Sequence, residues 1–364
     1  MSIHLIIAIF SLMGGALMLS LFLTPLARLL ALRLNLVDKP GQRKIHEAAM
    51  PYGGGIAIFS AFSISIILAL VSAWLNIRPP WLDQAYGELS NSTRMIDMET
   101  LFRLGVVLAG AALMFVLGLI DDRRPIRPYA KLAAQIAGGL LLYAVGIRVT
   151  LFASFWGESL LLTVLWVVAI TNAVNLLDNM DGLAGGVGAI CSIIFTLIAI
   201  QSGQILLAGM FAALAGSLLG FLWYNFNPAR LFMGDAGALF TGYMLGALSM
   251  AGTYYEGKGP ILAVAMPVVV LSIPIFDTLS VMLIRWRNGK PLMVGDTNHF
   301  SHRLVRLGMT RREAVLTIYA LTAALGLSAL TFYRLSEAGC AILLLHTAGI
   351  LAVVGLLERA ASRR

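Results

Sequence analysis

Long apolar runs alternate along this chain with short polar connections. Eleven runs stand out, at about 4–27, 53–75, 101–120, 130–147, 158–174, 183–201, 205–223, 235–252, 260–284, 314–332 and 338–357. Each approaches the roughly 20 residues that cross a bilayer as a helix, so each predicts a spanning helix. The sixth and seventh are separated only by Gln201-Ser202-Gly203-Gln204. The first run is long and lacks a basic leader, which reads as a first span rather than a cleaved signal peptide. No polar stretch exceeds about 30 residues, so residues 1–364 read as one polytopic, all-α membrane domain. The absence of a strong internal repeat argues against an inverted-repeat transporter.

Composition turns this pattern into an exclusion. The chain is 59% hydrophobic and 12% charged, against about 45–50% and 25% in soluble proteins. A soluble fold of this composition would leave large apolar patches in water, and a disordered chain would be more polar. Cys191 and Cys340 lie inside apolar segments without metal or disulfide spacing, and read as buried small side chains.

The net charge of +8 gains meaning once it is sorted by connection. Twenty of the 26 Lys and Arg residues fall on alternate connections and the C-terminus. By the positive-inside rule that face is cytoplasmic, with the N-terminus outside and the C-terminus inside. Asp38, Asp121, Asp122, Asp178, Asp181, Asp235, Asp277 and Asp296 lie on or near the same face. The cytoplasmic connections near 28–52, 121–130, 175–182, 224–234 and 285–313 therefore hold the candidate chemistry, and nucleic acid is not an expected partner.

Five segments carry that chemistry. In Gly118-Leu-Ile-Asp121-Asp122-Arg-Arg an apolar helix ends in two carboxylates, which need a cation, a metal or ample water to stay ionised together. The plainer alternative is a solvated helix end paired with Arg123 and Arg124. In Asn172-Ala-Val-Asn175-Leu-Leu-Asp178-Asn-Met-Asp181-Gly the polar residues recur every third position on one drifting helix face. No Lys or Arg lies between residues 149 and 229 to balance them, and such acids at a membrane are functional candidates. Asn225-Phe-Asn227-Pro leads to Phe-Met-Gly234-Asp235, where Asp235 opens a helix as an N-cap or as a metal ligand beside phosphate-binding N–H groups. Asp296-Thr-Asn-His299-Phe-Ser301-His302-Arg303 is a basic loop suited to pyrophosphate, with a plain surface loop as the alternative. Val37-Asp38-Lys39-Pro40, Arg43-Lys44-Ile-His46 and Gly53-Gly54-Gly55 form the fifth segment; its glycines imply close packing or ligand approach.

Taken in order, these segments resemble the polyprenyl-phosphate N-acetylhexosamine-1-phosphate transferases, over about residues 36–310. The resemblance is nearer to the bacterial undecaprenyl-phosphate N-acetylglucosamine-1-phosphate branch than to the phospho-N-acetylmuramoyl-pentapeptide branch. One departure stands out: the family's His-x-His-His loop reads His299-Phe300-Ser301-His302 here. The resemblance implies transfer of a sugar-1-phosphate from a UDP-N-acetylhexosamine to polyprenyl phosphate, releasing UMP and starting a lipid-linked cell-envelope glycan at the bacterial inner membrane. It assigns Asp235 and Asn175 to Mg²⁺ (with Mn²⁺ as a substitute), and Asp121 and Asp122 to the lipid phosphate or the metal site. Asp178 and Asp181 become the acidic loop near the nucleotide, and Asn225 a uracil contact. Lys44, His46, Lys131, His299, His302 and Arg303 become substrate contacts. Besides both substrates, the partners are membrane lipids, with a homodimer left open. Direct attack by the lipid phosphate and a route through an Asp-linked intermediate both fit these residues. The competing class is a transporter or channel with intramembrane acids.

Overall fold

The computed structural model describes residues 2–38, 50–75, 98–149, 155–252, 254, 260–291 and 298–361. Among them are thirteen α-helices. The first eight are α1 (Ile3–Arg33), α2 (Gly54–Trp74), α3 (Met98–Arg123), α4 (Pro128–Ala144), α5 (Trp156–Leu177), α6 (Leu183–Gln201), α7 (Ile205–Asn225) and α8 (Gly234–Ala251). A 3₁₀ turn, Ile261–Ala265, then leads into α9 (Met266–Val270) and α10 (Ser272–Arg287). The last three are α11 (Phe300–Arg306), α12 (Arg311–Ser328) and α13 (Glu337–Ala361), with a 3₁₀ turn at Ala329–Arg334 between the last two. The described strands, β1 (Val37–Asp38) and β2 (Met50–Pro51), pair antiparallel with Val37 opposite Pro51.

All eleven apolar runs are helical. Eight helices are long and apolar enough to cross a membrane, and a ninth is added if the bent pair around Leu271 counts as one. The chain is thus a multi-pass membrane protein. Helices α4 and α8 fall outside that set, and for α8 the packing supplies the reason. It is surrounded by α2, α3, α5, α6 and α7, and nearly every residue from Gly234 to Ser249 is buried. A helix buried against protein all round needs small residues for close approach more than large apolar ones for lipid. Gly55 of α2 and Gly118 of α3 both meet its first turn: a Cβ at Gly55 would lie 2.3 Å from the Gly237 nitrogen, and one at Gly118 2.4 Å from the Ala236 Cα. By contrast, α1 and α13 turn Phe22 and Leu345 outward, about two-thirds or more exposed, as lipid-facing side chains require.

The boundaries differ from the sequence expectation in two places. Helix α1 continues to Arg33, past the expected end near residue 27. The run at 260–284 is not one straight helix but bends by 70° at Leu271. Pro274 has no N–H to give the Val270 carbonyl, so the ladder is broken there. The Cys191 thiol, 3.3 Å away, donates to that carbonyl instead, so a buried cysteine satisfies a backbone group freed by proline. The weakly marked break after α6 is present, with Gly203 at φ +72°, a left-handed conformation that glycine tolerates.

Candidate active site

The ends of α3, α4, α5 and α8 converge at one end of the bundle. Asp122, near the end of α3, accepts the backbone N–H of Asp235 at Oδ1 (2.7 Å) and that of Ala236 at Oδ2 (3.1 Å). These are orphan donors of the first turn of α8, and a carboxylate suits the positive end of a helix. This cap requires Gly234, whose φ is +71° and whose added Cβ would stand 2.6 Å from the Asp122 carboxylate. Asp235 is therefore held by its backbone, and its side chain is left for other partners.

Those partners are Lys131 and Asn175. Lys131, in the first turn of α4, bridges Asp121 at 2.5 Å and Asp235. Asn175 donates through Nδ2 to Asp235 Oδ1 at 3.0 Å. Asp121 also accepts the N–H of Ile126 at 2.6 Å, closing the turn between α3 and α4. The Asp121, Lys131 and Asp235 side chains are 13%, 21% and 27% exposed, so the cluster can be reached by a solute. Tyr52, just ahead of α2, is raised far above the ordinary phenol range. Burial is the main cause, then a hydrogen bond to Asp38 and the charges of Asp38, Asp122 and Asp235. The hairpin carrying Tyr52 thus stands beside the acids.

The acidic loop follows α5. Asn172 pairs reciprocally with buried Gln135 of α4. The Asp178 side chain is partly exposed by surface area but has dense protein around it, and it accepts no hydrogen bond from the described residues. Burial first, then the charges of Asp235, Asp122 and Asp181, push its carboxyl up to about 8. Such a group gains a great deal from an added cation. Asp181 accepts from Asn227 Nδ2 (3.0 Å) and the Ala229 N–H (3.1 Å). Asn225 is buried, accepting the Gly182 N–H at 3.0 Å and donating to the Leu231 carbonyl at 2.9 Å. This placement makes Asn225 a brace between two loops. Tyr319 of α12 donates to the Gly182 carbonyl and presses on Gly186, fixing the same loop from the other side.

The basic loop docks onto the acidic one. Ser301, standing where the resemblance leads one to expect histidine, donates to Asn179 Oδ1 at 2.5 Å. His299 meets Asp277 through Nδ1 at 2.8 Å. Burial, then the charges of His299 and Arg306, hold His302 below the ordinary imidazole range. Arg303 donates to Glu358 Oε1 (3.1 Å), Ser280 Oγ (2.9 Å) and the Asn298 carbonyl. Its guanidinium ties α10 and α13 to the loop, which is a different setting from an open phosphate fork. Replacement of Ser301 by Ala removes one buried hydrogen bond and is expected to cost about 1 kcal/mol of stability, measured as a small fall of the thermal midpoint in detergent. Lys44, His46 and Asp296 lie outside the described residues.

Sequence reasoning passed over Tyr52, Gln135 and Asn179. Asn179 sits within the acidic motif but off its three-residue repeat, Tyr52 and Gln135 lie outside any charged motif, and the roles of all three depend on which helix ends meet. Asp277 had been noted, but its partner lies 22 residues away along the chain.

Comparison with known proteins decides what this geometry belongs to. Residues 104–253 match the family described as glycosyl transferase family 4. A probable undecaprenyl-phosphate N-acetylglucosaminyl 1-phosphate transferase of Bacillus subtilis is 32% identical over 318 residues, 85% of this chain and 81% of that relative. The chain belongs to this transferase family. A decaprenyl-phosphate N-acetylglucosaminephosphotransferase of Mycobacterium tuberculosis is 31% identical, covering 93% of this chain and 86% of its own length. An undecaprenyl-phosphate alpha-N-acetylglucosaminyl 1-phosphate transferase of Yersinia pestis is 26% identical over 85% and 80%. In this glycosyl transferase the matched segment runs through α3 to α8 and contains Asp121, Asp122, Lys131, Asn175, Asp178, Asp181, Asn225 and Asp235. His299, His302 and Arg303 lie beyond it.

The donor set suits a hard cation. Asp235, Asp121 and Asp178 offer carboxylate oxygens, and Asn175 keeps Oδ1 while its Nδ2 bonds Asp235. Among the described residues no three Asp, Glu, His or Cys side chains form a ready-made metal cage. Mg²⁺ commonly takes only one or two protein carboxylates and completes its shell with water and substrate phosphate, so the residues fit it.

Proposed function

We propose that this transferase moves N-acetylglucosamine-1-phosphate from UDP-N-acetylglucosamine to undecaprenyl phosphate, releasing UMP. The observation that carries this reading is the meeting of Asp121, Asp122, Lys131, Asn175 and Asp235 at one end of a membrane bundle. In this reading eleven spans run from an outside N-terminus to a cytoplasmic C-terminus, and the cluster lies at the inner face of the bacterial inner membrane, on the side of the 20 cations. There the acceptor phosphate sits at headgroup level and the nucleotide arrives from the cytosol. The names of the bacterial relatives support the sugar and the polyprenyl carrier.

In the proposed reaction an oxygen of the lipid phosphate attacks the β-phosphorus, the bond to the UMP oxygen breaks, and the sugar leaves as part of a new diphosphate. Bringing two anions together requires charge compensation placed in advance. Lys131 supplies one positive charge beside Asp121 and Asp235. Asp235 and Asn175 would hold Mg²⁺, which supplies further neutralisation of the phosphate oxygens. With both Asp122 oxygens capping α8, Asp122 acts on the frame of the site, and the proposed route is direct attack by the lipid phosphate. His299 supplies a ring nitrogen to the phosphates from the basic loop.

Purified protein, radiolabelled UDP-N-acetylglucosamine, undecaprenyl phosphate and Mg²⁺ test the reading. Equal amounts of labelled lipid and UMP are expected, with turnover abolished by a chelator and restored by Mg²⁺. Labelling only from UDP-N-acetylmuramoyl-pentapeptide would move the enzyme to the other branch. Substrate uptake into vesicles without UMP release would favour a transporter.

A further inference from the structure

Asp277 lies on α10 just past the bend and is only 1% exposed, while His299 opposite is 3% exposed. The two are joined by Oδ2 and Nδ1 at 2.8 Å, and Asp277 Oδ1 accepts the backbone N–H of Phe300 at 2.6 Å. A carboxylate that accepts from a backbone N–H on one oxygen can take the histidine only as a second donor. Nδ1 therefore carries the hydrogen, and Nε2 is the nitrogen left over. Among the described residues Nε2 has no partner. The start of α11, which carries the ring, is itself anchored: Phe276 packs edge-to-face on Phe300, 5.5 Å between centroids, and Ser301 bonds Asn179 beside Asp178.

We propose that Asp277 is a positioning residue of the transfer reaction: it fixes the tautomer and plane of His299 so that the unprotonated Nε2 faces the substrate phosphates and accepts the hydrogen of a phosphate hydroxyl. The proposal rests on reading His299 as a phosphate contact. Asp277 itself touches no substrate. Its place on the bent helix is what lets a residue from within the bundle reach the base of the loop; a straight helix from 260 to 284 would carry it elsewhere.

Asp277→Asn separates this role from simple packing. The amide oxygen still accepts the Phe300 N–H, while the amide nitrogen now donates to Nδ1, so the ring hydrogen moves to Nε2. In protein labelled with ¹⁵N-histidine, the His299 signals, assigned by their loss in His299→Ala, are expected to change from the Nδ1–H to the Nε2–H pattern. This readout needs no activity, so it stands even if the proposed substrates are wrong. UMP release is expected to fall at least tenfold in kcat with the thermal midpoint within a few degrees of wild type. In a His299→Ala background Asp277→Asn is expected to cause no further fall. As a second line, His299→Gln, which can place an amide oxygen acceptor near the Nε2 position, is expected to retain more turnover than His299→Asn, whose amide lies near Nδ1. An unchanged tautomer in Asp277→Asn, an unchanged kcat after the tautomer has moved, an equal fall in the His299→Ala background, or His299→Asn outperforming His299→Gln would each overturn the proposal.

Discussion

Asp235→Ala is expected to lower UMP release by about a thousandfold, on the scale of losing a preorganised electrostatic group, while the protein still folds and inserts. The two halves of this expectation come from different atoms. The helix cap at Asp122 uses the backbone N–H groups of Asp235 and Ala236, which alanine retains. What disappears is the carboxylate that joins Lys131 to Asn175. Lys131 then keeps only Asp121, and the oxygen donor shared by α4, α5 and α8 is gone. Turnover is measured as UMP released per enzyme over a range of Mg²⁺ concentrations, and insertion as recovery in the detergent-soluble monodisperse fraction. Turnover near that of wild type would remove Asp235 from the reaction.

Gly234→Ala is expected to act on the same place through the backbone, and to damage both fold and activity. A left-handed conformation costs a non-glycine residue about 1–2 kcal/mol. The new methyl group also stands 2.6 Å from the nearer Asp122 oxygen, so the cap must open, and loss of a cap costs about 0.5–2 kcal/mol. The thermal midpoint, followed by tryptophan fluorescence in detergent, is expected to fall by roughly 5–10 °C, with UMP release down at least thirtyfold. A variant with normal turnover and an unshifted midpoint would show that the turn before α8 adapts without harm. The contrast with Asp235→Ala is informative: one removes the charge from an intact frame, the other distorts the frame that presents it.

Most of the helical plan was readable because a bilayer demands a minimum apolar length, and that demand is written residue by residue. Even the break at Gln201–Gln204 was visible, as glycine and polar side chains have little other use between two apolar runs. The bend at Leu271 was less visible, because the group that satisfies the freed Val270 carbonyl is Cys191, 79 residues earlier in the chain. In the site, Asp235, Asn175 and Lys131 stood out as charged or amide groups at the ends of apolar runs. The uses of Asn225 and Arg303 did not. A buried amide bonded to Gly182 and Leu231, or a guanidinium held by Glu358, reveals itself only when loops distant in sequence are brought together. Residue type marked where the chemistry lies, whereas tertiary contact decided which groups remain open to a substrate.

The first turn of α8 has a further consequence. A helix beginning at the water-facing end of a bundle ordinarily offers its bare N–H groups to any passing anion. Here the enzyme fills that position with its own Asp122, from the neighbouring helix. An anion that reaches this end of the bundle therefore meets a carboxylate and not a vacant cradle, and the positive charge it needs has to come from Lys131 beside it or from a cation that it brings.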